Sequence, residues 1–262
     1  MDLLELAVDL AREAGDLLMG YVDRTLQIDT KTSATDPVSE ADHASERLIN
    51  EGLLAARPDD GLLGEEDAGN RRGTTGLRWV VDPLDGTVNF LYGIPAWCVS
   101  IACEDDQGGV VGVVHDPHRD ETFAAHRGGG TTVNGSTVEV REPDDLTMAL
   151  VATGFSYGPQ VRAMQGRWVA DLLPQVRDVR RVGAAALDLA WLAAGRFDGF
   201  YEIGLKPWDR AAGQVLVAEA GGVSSLREVE VGPERAPCII AGHRTVHDQL
   251  ASWLAAVTGR EG

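Results

Sequence analysis

Apolar residues recur at three- and four-residue steps in two segments near the start of the chain, and this spacing predicts two amphipathic helices. The first helix runs from Met1 to about Asp23, and the second runs from Pro37 to about Ala56, where Pro58 closes the segment. Charged residues interrupt the first segment, so its pattern is that of neither a membrane span nor a signal peptide.

Short runs rich in β-branched and aromatic residues fill the next part of the chain, from Arg78 to Val140. The last of these runs contains the pair Asn134-Gly135, which is typical of tight hairpin turns. The pattern therefore predicts an antiparallel meander of strands.

Strand-like and helix-like segments alternate after Leu146, and such alternation indicates an α/β layer. The segments are 149–153, 161–173, 179–182, 184–194, 197–202, 207–220, 238–241 and 246–257. A charged, proline-containing stretch from Arg141 to Asp145 is the natural seam before them. We therefore predict an N-terminal α+β half, residues 1–143, and a C-terminal α/β half, residues 144–262.

The composition is that of a globular protein that folds throughout, with 262 residues, 44% of them hydrophobic and 24% charged. The formal net charge of -18 repels phosphate backbones and anionic headgroups, so neither nucleic acid nor a membrane is expected as a direct partner. Cys98, Cys103 and Cys238 lack the paired spacing of a zinc site or a disulfide framework. We interpret them as buried thiols of a cytoplasmic protein.

The run WVVDPLDGTVNF, from Trp79 to Phe90, places two aspartates three residues apart after a hydrophobic strand. Asp82, Asp85 and the carbonyl group of Leu84 offer hard oxygen ligands of the kind that Mg²⁺ prefers. An Asp-Gly pair alone is equally typical of a simple Asx turn. It is the complete run that favours a metal site.

Further polar groups flank this run along the chain. If a helix starts at Gly86 and Thr87, their amide groups would face a phosphate. Glu65 also follows a hydrophobic strand, Asp42 lies near the apolar stripe of the second predicted helix, and Asp209 follows a proline at a predicted helix start. Each acid has an ordinary alternative: Glu65 as a surface charge, Asp42 as a first-turn acid favoured by the helix dipole, and Asp209 as a helix cap.

These segments together resemble the inositol monophosphatase family of the lithium-sensitive sugar-phosphatase superfamily. Four family motifs occur in order: an acidic pair at Gly64-Glu65-Glu66, a metal loop at Asp82 to Phe90, a glycine-led helix start at Gly183 to Leu187, and a late motif at Trp208 to Gly222. The resemblance covers nearly the whole chain. It implies a layered α/β/α/β/α sandwich, a cleft between two halves that holds the site, and a homodimer.

The resemblance also implies two or three Mg²⁺ ions in each site. Glu65, Asp82 and the Leu84 carbonyl group would bind the first ion. Asp82, Asp85 and Asp209 would bind the second, and Glu65 with water molecules would hold a third, looser ion.

The same resemblance assigns catalytic roles to Asp42, Glu65 and Thr87. Asp42 and Thr87 would hydrogen-bond to the water molecule that attacks phosphorus. This role would give Asp42 the partner that a carboxylate near an apolar stripe needs.

The substrate contacts implied by the resemblance are those of Asp85, Gly86, Thr87, Ala185, Glu202 and Lys206. The amides of Gly86 and Thr87 would hold the phosphate, while Glu202 would meet a ring hydroxyl, which favours a polyol. Two positions depart from common family patterns: Ala184, where a hydroxyl residue is common, and Lys206, where animal members carry histidine.

Lys206 and Lys31 are the only two lysines of the chain. A compact ammonium group fits a crowded metal-phosphate pocket better than a planar guanidinium group, so we predict that both lysines belong to that pocket. The alternative is that both lie on solvated surface, where lysine and arginine often interchange.

The implied function is Mg²⁺-dependent hydrolysis of a phosphate monoester by a metal-activated water, with myo-inositol monophosphate as the expected substrate. Fructose 1,6-bisphosphate, histidinol phosphate and 3′-phosphoadenosine nucleotides are alternative substrates for the same chemistry. A regulatory role through protein contacts is the alternative of a different class.

Overall fold

The computed structural model describes residues 2–22, 28–30, 37–65, 70–231 and 234–259. Its helices are α1 Leu3–Met19, α2 Glu40–Ala56, α3 Thr87–Leu91, α4 Pro159–Leu172, α5 Ala185–Ala193, α6 Pro207–Glu219 and α7 Arg244–Thr258. Helix α1 ends at Met19, ahead of the predicted limit at Asp23. In the described part of the chain, none of the helices is long and apolar enough to cross a membrane.

Two short strands, β1 Ile28–Thr30 and β2 Pro37–Ser39, pair with each other and precede a seven-stranded sheet. In spatial order its strands are β3 Gly61–Gly64, β4 Arg78–Asp85, β5 Cys98–Asp105, β6 Gly108–Asp116, β7 Glu121–His126, β8 Thr131–Val133 and β9 Ser136–Val138. All neighbours from β4 to β9 are antiparallel, which confirms the predicted meander. Asn134 and Gly135 have φ of 49° and 80°, as the predicted hairpin turn requires.

The second sheet has five strands and belongs to the C-terminal part of the chain. In spatial order its strands are β11 Asp178–Arg180, β10 Leu150–Thr153, β12 Gly199–Ile203, β14 Glu234–Gly242 and β13 Val223–Val231. Strand β10 runs parallel to both β11 and β12, whereas β14 is antiparallel to β12 and β13. Helices link the parallel strands, because a parallel neighbour can be reached only by a crossover.

Three hydrophobic clusters show how the helices and sheets are stacked. One cluster joins α1 and α2 to a face of the seven-stranded sheet, and another joins α4 and α7 to the five-stranded sheet. The third surrounds α5 and α6 and includes residues of both sheets, such as Phe123 and Phe200. The layers are therefore α/β/α/β/α, which confirms the predicted fold. The domain boundary at residue 143 stays a prediction.

One predicted boundary needs correction, and one strand was not predicted. Helix α2 begins at Glu40 rather than at Pro37, because residues 37–39 pair with residues 28–30 as a strand. Strand β13 was not predicted from the sequence. It is an edge strand, and edge strands expose many of their side chains. Leu226 of this strand is exposed and Val229 is buried, so the apolar alternation is weak.

The two middle helices pack closely because small residues face their neighbours. Gly213 of α6 lies against Leu189 of α5, and an added Cβ atom at position 213 would be 2.5 Å from the Leu189 Cβ atom. On β6, a Cβ atom at Gly112 would be 2.5 Å from the carbonyl oxygen of Ala212 in α6. This packing positions the beginnings of α5 and α6, which both carry predicted site residues.

We predict that two helical Gly→Ala substitutions act in opposite directions. Gly166→Ala should raise the free energy of unfolding by about 0.5–1 kcal/mol, because alanine restricts the unfolded chain and no atom beyond the local helix backbone lies within 4 Å of the new methyl group. Gly213→Ala should lower it by about 1–3 kcal/mol, because the overlap with Leu189 outweighs that gain. Urea denaturation measures both, and a stabilising Gly213→Ala would contradict the close packing.

Candidate active site

Asp82 and Asp85 lie at the end of β4, where its pairing with β5 becomes irregular. Asp82 is opposite Ser100 and Asp85 is opposite Cys98, so three steps on β4 match two steps on β5. The register shift of this β-bulge lies between Asp82 and Asp85 and includes Pro83, which has no amide hydrogen to give to the ladder. Two residues three apart would face opposite ways in a regular strand, and the bulge returns both aspartates to one face.

The chain turns sharply after Asp85 at Gly86, and α3 begins at Thr87. Gly86 has φ of 92°, in the left-handed region that glycine adopts without strain. An added Cβ atom would lie 3.1 Å from both the Ala184 Cβ atom and the Ala96 carbonyl oxygen. Position 86 therefore needs glycine for its conformation and for space.

Helix α2 contributes Asp42, which is fully buried. The Thr87 hydroxyl group lies 3.2 Å from Asp42 Oδ1 and 3.1 Å from the Leu84 carbonyl oxygen, so it can donate to either. Ser45, on the same helix, donates to the Pro83 carbonyl oxygen at 2.8 Å and fixes the helix to the bulge. The structure thus places Asp42 in contact with Thr87.

The carboxylate of Asp85 binds the start of α5. Its Oδ2 atom accepts a hydrogen bond from the Ala186 amide at 2.7 Å, and the nearby amides of Ala185 and Leu187 also favour its charged form. Ala184 is the N-cap of α5 and has no polar side chain, so Asp85 caps the helix from another layer. The role of the Ala185 amide in substrate binding stays a prediction.

The predicted metal ligands repel one another. Burial and the charge of Glu65 raise the pKa of Asp85 to about 6, although the α5 amides oppose this shift. On α6, burial together with Asp85 and Glu65 raises the pKa of Asp209 to about 8. Asp209 Oδ2 also accepts a hydrogen bond from the Lys206 amide at 2.6 Å, so this residue caps α6. A cap and a ligand role are compatible, because the second carboxylate oxygen is left for a cation.

Three further predicted residues have different surroundings. Asp82 is buried, and its Oδ1 atom accepts a hydrogen bond from the Leu84 amide at 3.1 Å, which orients it within its own strand. Lys206 is exposed, just before α6. Lys31 lies outside the described residues. The pocket role of the two lysines stays a prediction.

Glu202, the predicted polyol contact, lies near the end of β12 and is partly buried. Burial, with Asp209 and Asp85 nearby, raises the pKa of Glu202 to about 8, and the charge of Arg181 opposes this shift. The Glu202 carboxylate rests against Gly154, which follows β10. Because β10 and β12 are parallel neighbours, their carboxyl ends share one edge of the sheet, where ligands of α/β proteins bind.

Asp188 is an acid of this region that the sequence analysis did not single out. It lies on α5, is 1% exposed, and neither of its carboxylate oxygens has a hydrogen-bond partner among the residues that the structure describes. Burial, with Glu202 and Asp85 nearby, holds the pKa of Asp188 well above its usual range. The signal was present in the sequence, because Asp188 is a lone charge within the apolar run 184–194.

The chemistry of the donor set fits a divalent cation. Glu65, Asp82, Asp85 and Asp209 offer hard oxygen ligands, and a cation would offset their mutual repulsion. Among the described residues, no three His, Cys, Asp or Glu side chains form a group already arranged around a metal ion. Magnesium binding stays a prediction.

Comparisons with known proteins show what the chain as a whole is similar to. The profile of the inositol monophosphatase family matches residues 1–258. An inositol-1-monophosphatase of Rhizobium meliloti is 43% identical over 92% of this chain and 88% of its own length. The Nus factor SuhB of Xylella fastidiosa is 39% identical over 98% of this chain and 96% of its own length. The solved structure of an IMPase from Thermotoga maritima has a TM-score of 0.88 at 30% identity, with 100% of both chains covered.

The family profile and the fold shared with a solved IMPase structure place the chain in the phosphatase class. The chain belongs to the inositol monophosphatase family, since the family profile matches almost its entire length. The predicted resemblance is thereby confirmed. The relatives carry two kinds of name, monophosphatase and Nus factor, so membership leaves the substrate of this chain open.

We predict that the carboxylates of the site destabilise the metal-free protein as the pH rises from about 6 to about 8.5. The folded-state pKa of Asp85, about 6, and that of Asp209, about 8, lie above the unfolded value of about 4, so the folded state binds more protons. Their stabilising contribution is complete below a pH of about 4 and is lost as the pH rises through these folded-state values.

Urea denaturation in EDTA at a pH of about 6 and at a pH of about 8.5 measures this effect in wild type and in Asp209→Asn. Asparagine keeps an oxygen for the Lys206 amide and removes the titrating charge. The stability of Asp209→Asn relative to wild type should therefore increase with pH, whereas the exposed Glu51→Gln should follow wild type. A difference between Asp209→Asn and wild type that is independent of pH would contradict the prediction.

Proposed function

We propose that this chain is a Mg²⁺-dependent phosphatase that hydrolyses myo-inositol monophosphate to inositol and phosphate. The observation that carries the proposal is the end of β4, where two aspartates share one face beside a buried threonine-aspartate pair and a glycine turn. Family membership supports the phosphatase class. Relatives named inositol-1-monophosphatase, from Rhizobium meliloti at 43% identity and Mycobacterium leprae at 40% identity, support the substrate.

The carboxylates around β4 would hold the cations. Glu65, Asp82, Asp85 and Asp209, with the Leu84 carbonyl group, would bind two or three Mg²⁺ ions. Bound Mg²⁺ would offset the charge on the phosphate and on the leaving oxygen, and would favour ionisation of a water molecule. The raised pKa values of Asp85 and Asp209 support this, because they reflect burial first and then the negative charge of neighbouring carboxylates, and a bound cation would offset both.

Asp42 and Thr87 would position the attacking water. When the Thr87 hydroxyl group donates to Asp42 or to the Leu84 carbonyl oxygen, its own oxygen can accept a hydrogen bond from water. Because Asp42 is fully buried, its carboxylate holds the Thr87 hydroxyl group in place. The attacking water would therefore be oriented toward phosphorus before the reaction.

The alcohol part of the substrate would lie toward the C-terminal half of the chain. With the phosphate at the amides of Gly86 and Thr87, the side chains at the ends of β12 and α6 would face the alcohol. Glu202 can then pair with a hydroxyl group, whereas an apolar alcohol would leave this partly buried carboxyl group without a partner. A polyol is therefore the favoured alcohol.

A substrate panel tests the proposal. Phosphate release would be measured with Mg²⁺ for myo-inositol 1-phosphate, fructose 1,6-bisphosphate, histidinol phosphate and 3′-phosphoadenosine 5′-phosphate. We expect the highest kcat/KM for the inositol ester and no release from any ester in EDTA. A higher value for one of the other three would keep the phosphatase class and replace the substrate.

Relatives named Nus factor SuhB, from Xylella fastidiosa and Pseudomonas aeruginosa at 39% and 42% identity, support a second candidate function. In that case the folded chain would act through contacts with other proteins. Expression of Asp82→Asn in a deletion strain separates the two candidates. Restored growth would favour the regulatory role, and growth restored by wild type alone would favour catalysis.

We predict that Asp82→Asn abolishes turnover and leaves the fold intact. Asparagine keeps the hydrogen bond to the Leu84 amide and removes a charge that the cations need. Phosphate release measures the activity, and thermal denaturation without Mg²⁺ should show no loss of stability. The exposed Asp106→Asn is the control and should match wild type. A variant that loses less than about tenfold in kcat/KM, ~1.4 kcal/mol, would exclude the proposed role of Asp82.

We further predict that Glu202→Gln raises KM for myo-inositol 1-phosphate by about tenfold at a pH above the Glu202 pKa of about 8, where a hydrogen bond to a charged group becomes a neutral one. For p-nitrophenyl phosphate, which has no hydroxyl group to offer, KM should change by less than about twofold. Steady-state kinetics with both esters make the comparison. Equal effects on the two esters would show that Glu202 acts on the fold or on the cations and not on the alcohol.

A further inference from the structure

The Glu202 carboxylate lies directly against the α-carbon of Gly154. A Cβ atom at position 154 would overlap both carboxylate oxygens of Glu202. Thr153 pairs with Tyr201 across the parallel strands β10 and β12, so the next residue of each strand lies at the same edge of the sheet. Gly154 is not among the residues of positive φ. Space for the carboxylate, and not backbone conformation, is therefore the reason for glycine at this position.

The turn that contains Gly154 is held by a buried side chain of α4. Gln165 is 3% exposed, its Nε2 atom donates to the Gly154 carbonyl oxygen at 3.1 Å, and its Oε1 atom accepts from the Ser156 amide at 2.9 Å. One amide group thus satisfies two backbone groups of the turn, while β10 fixes the residue before it. Both attachments oppose a movement of Gly154 away from Glu202.

We propose that Gly154 determines the selectivity of the site for polyol esters, and that Gln165 is a positioning residue that acts through the turn at Gly154. The inference rests on the proposed function, since it takes Glu202 as the group that meets a substrate hydroxyl. Glycine at 154 leaves the Glu202 carboxylate in its place at the sheet edge. A larger residue there would displace the carboxylate and favour esters of simpler alcohols.

If position 154 carried a side chain, the Glu202 carboxylate would move and the backbone of the turn would stay in place. The carboxylate is the end of a flexible side chain, whereas the backbone at Gly154 is fixed by β10 and Gln165. The phosphate-side residues Asp82 and Thr87 belong to the end of β4 and the start of α3, outside the five-stranded sheet that carries Glu202. The substitution should therefore affect the recognition of the alcohol and spare the reaction at phosphorus.

A double-mutant cycle tests this inference with Gly154→Ala, Glu202→Ala and the double variant. The two substrates are myo-inositol 1-phosphate and p-nitrophenyl phosphate. Gly154→Ala should raise KM for the inositol ester by about tenfold and change kcat/KM for p-nitrophenyl phosphate by less than about twofold. In the Glu202→Ala background, Gly154→Ala should add nothing to the effect on the inositol ester, because the overlapping carboxylate is gone.

Two further variants complete the test. Gly158→Ala is the matched control, because it lies in the same loop and a Cβ atom there would make an ordinary 3.6 Å contact with Val161 Cγ2. It should behave as wild type with both esters. Gln165→Met removes both hydrogen bonds to the turn at similar volume, and should also raise KM for the inositol ester more than for p-nitrophenyl phosphate.

Equal effects of Gly154→Ala on both esters, or effects of the two substitutions that simply add, would overturn the inference. If Gly154→Ala does not fold, Gln165→Met serves as the test. A ratio of the two KM values in Gln165→Met that equals the wild-type ratio would overturn the inference. Failure of the proposed function looks different. Glu202→Ala alone would then leave that ratio unchanged, or wild type would release no phosphate from the inositol ester.

Discussion

The crowding of like charges is the constraint on which the site depends. Asp85, Asp209 and Glu202 have raised pKa values because burial and neighbouring carboxylates both oppose their ionisation. Backbone amides relieve part of this charge, those of α5 for Asp85 and that of Lys206 for Asp209. An amide at a helix start stabilises a carboxylate from one side and adds no side chain to the space between the acids. The centre is thereby left open to a cation.

The bond between Asp85 and α5 also joins two layers of the fold. Helices α5 and α6 share a hydrophobic core with both sheets, so their positions are set by packing such as that of Gly213 on Leu189. Ala184 is consistent with this arrangement, since Asp85 supplies the cap that a hydroxyl residue would otherwise give. Its small side chain also permits the approach of Gly86. The packing of the core therefore also determines the geometry of the site.

Sequence reasoning reached the meander and the acidic strand end, because hydrophobic period and motif spacing are local signals. The layers were implied by the family resemblance. Sequence reasoning did not reach the bulge beside Pro83, since spacing alone does not say which face Asp85 takes. Nor did it reach the contact between Gly154 and Glu202, or the clamp by Gln165, because these join residues distant in the chain. Such contacts depend on strand order, which the pattern of one strand does not contain.

The order of the strands also places most phosphate-side groups and the alcohol-side groups of the site on different sheets. Most groups that would act on the phosphate come from α2, the end of β4 and the start of α3, where hydrogen bonds join Thr87 to Asp42 and Ser45 to the bulge. Asp209 of α6 is the exception. Groups that would meet the alcohol come from the turn after β10 and the end of β12, on the other sheet. A residue such as Gly154 can therefore change without disturbing Asp42 or Thr87. Relatives that share the first set can differ in the second, so the substrate has to be argued from the C-terminal sheet.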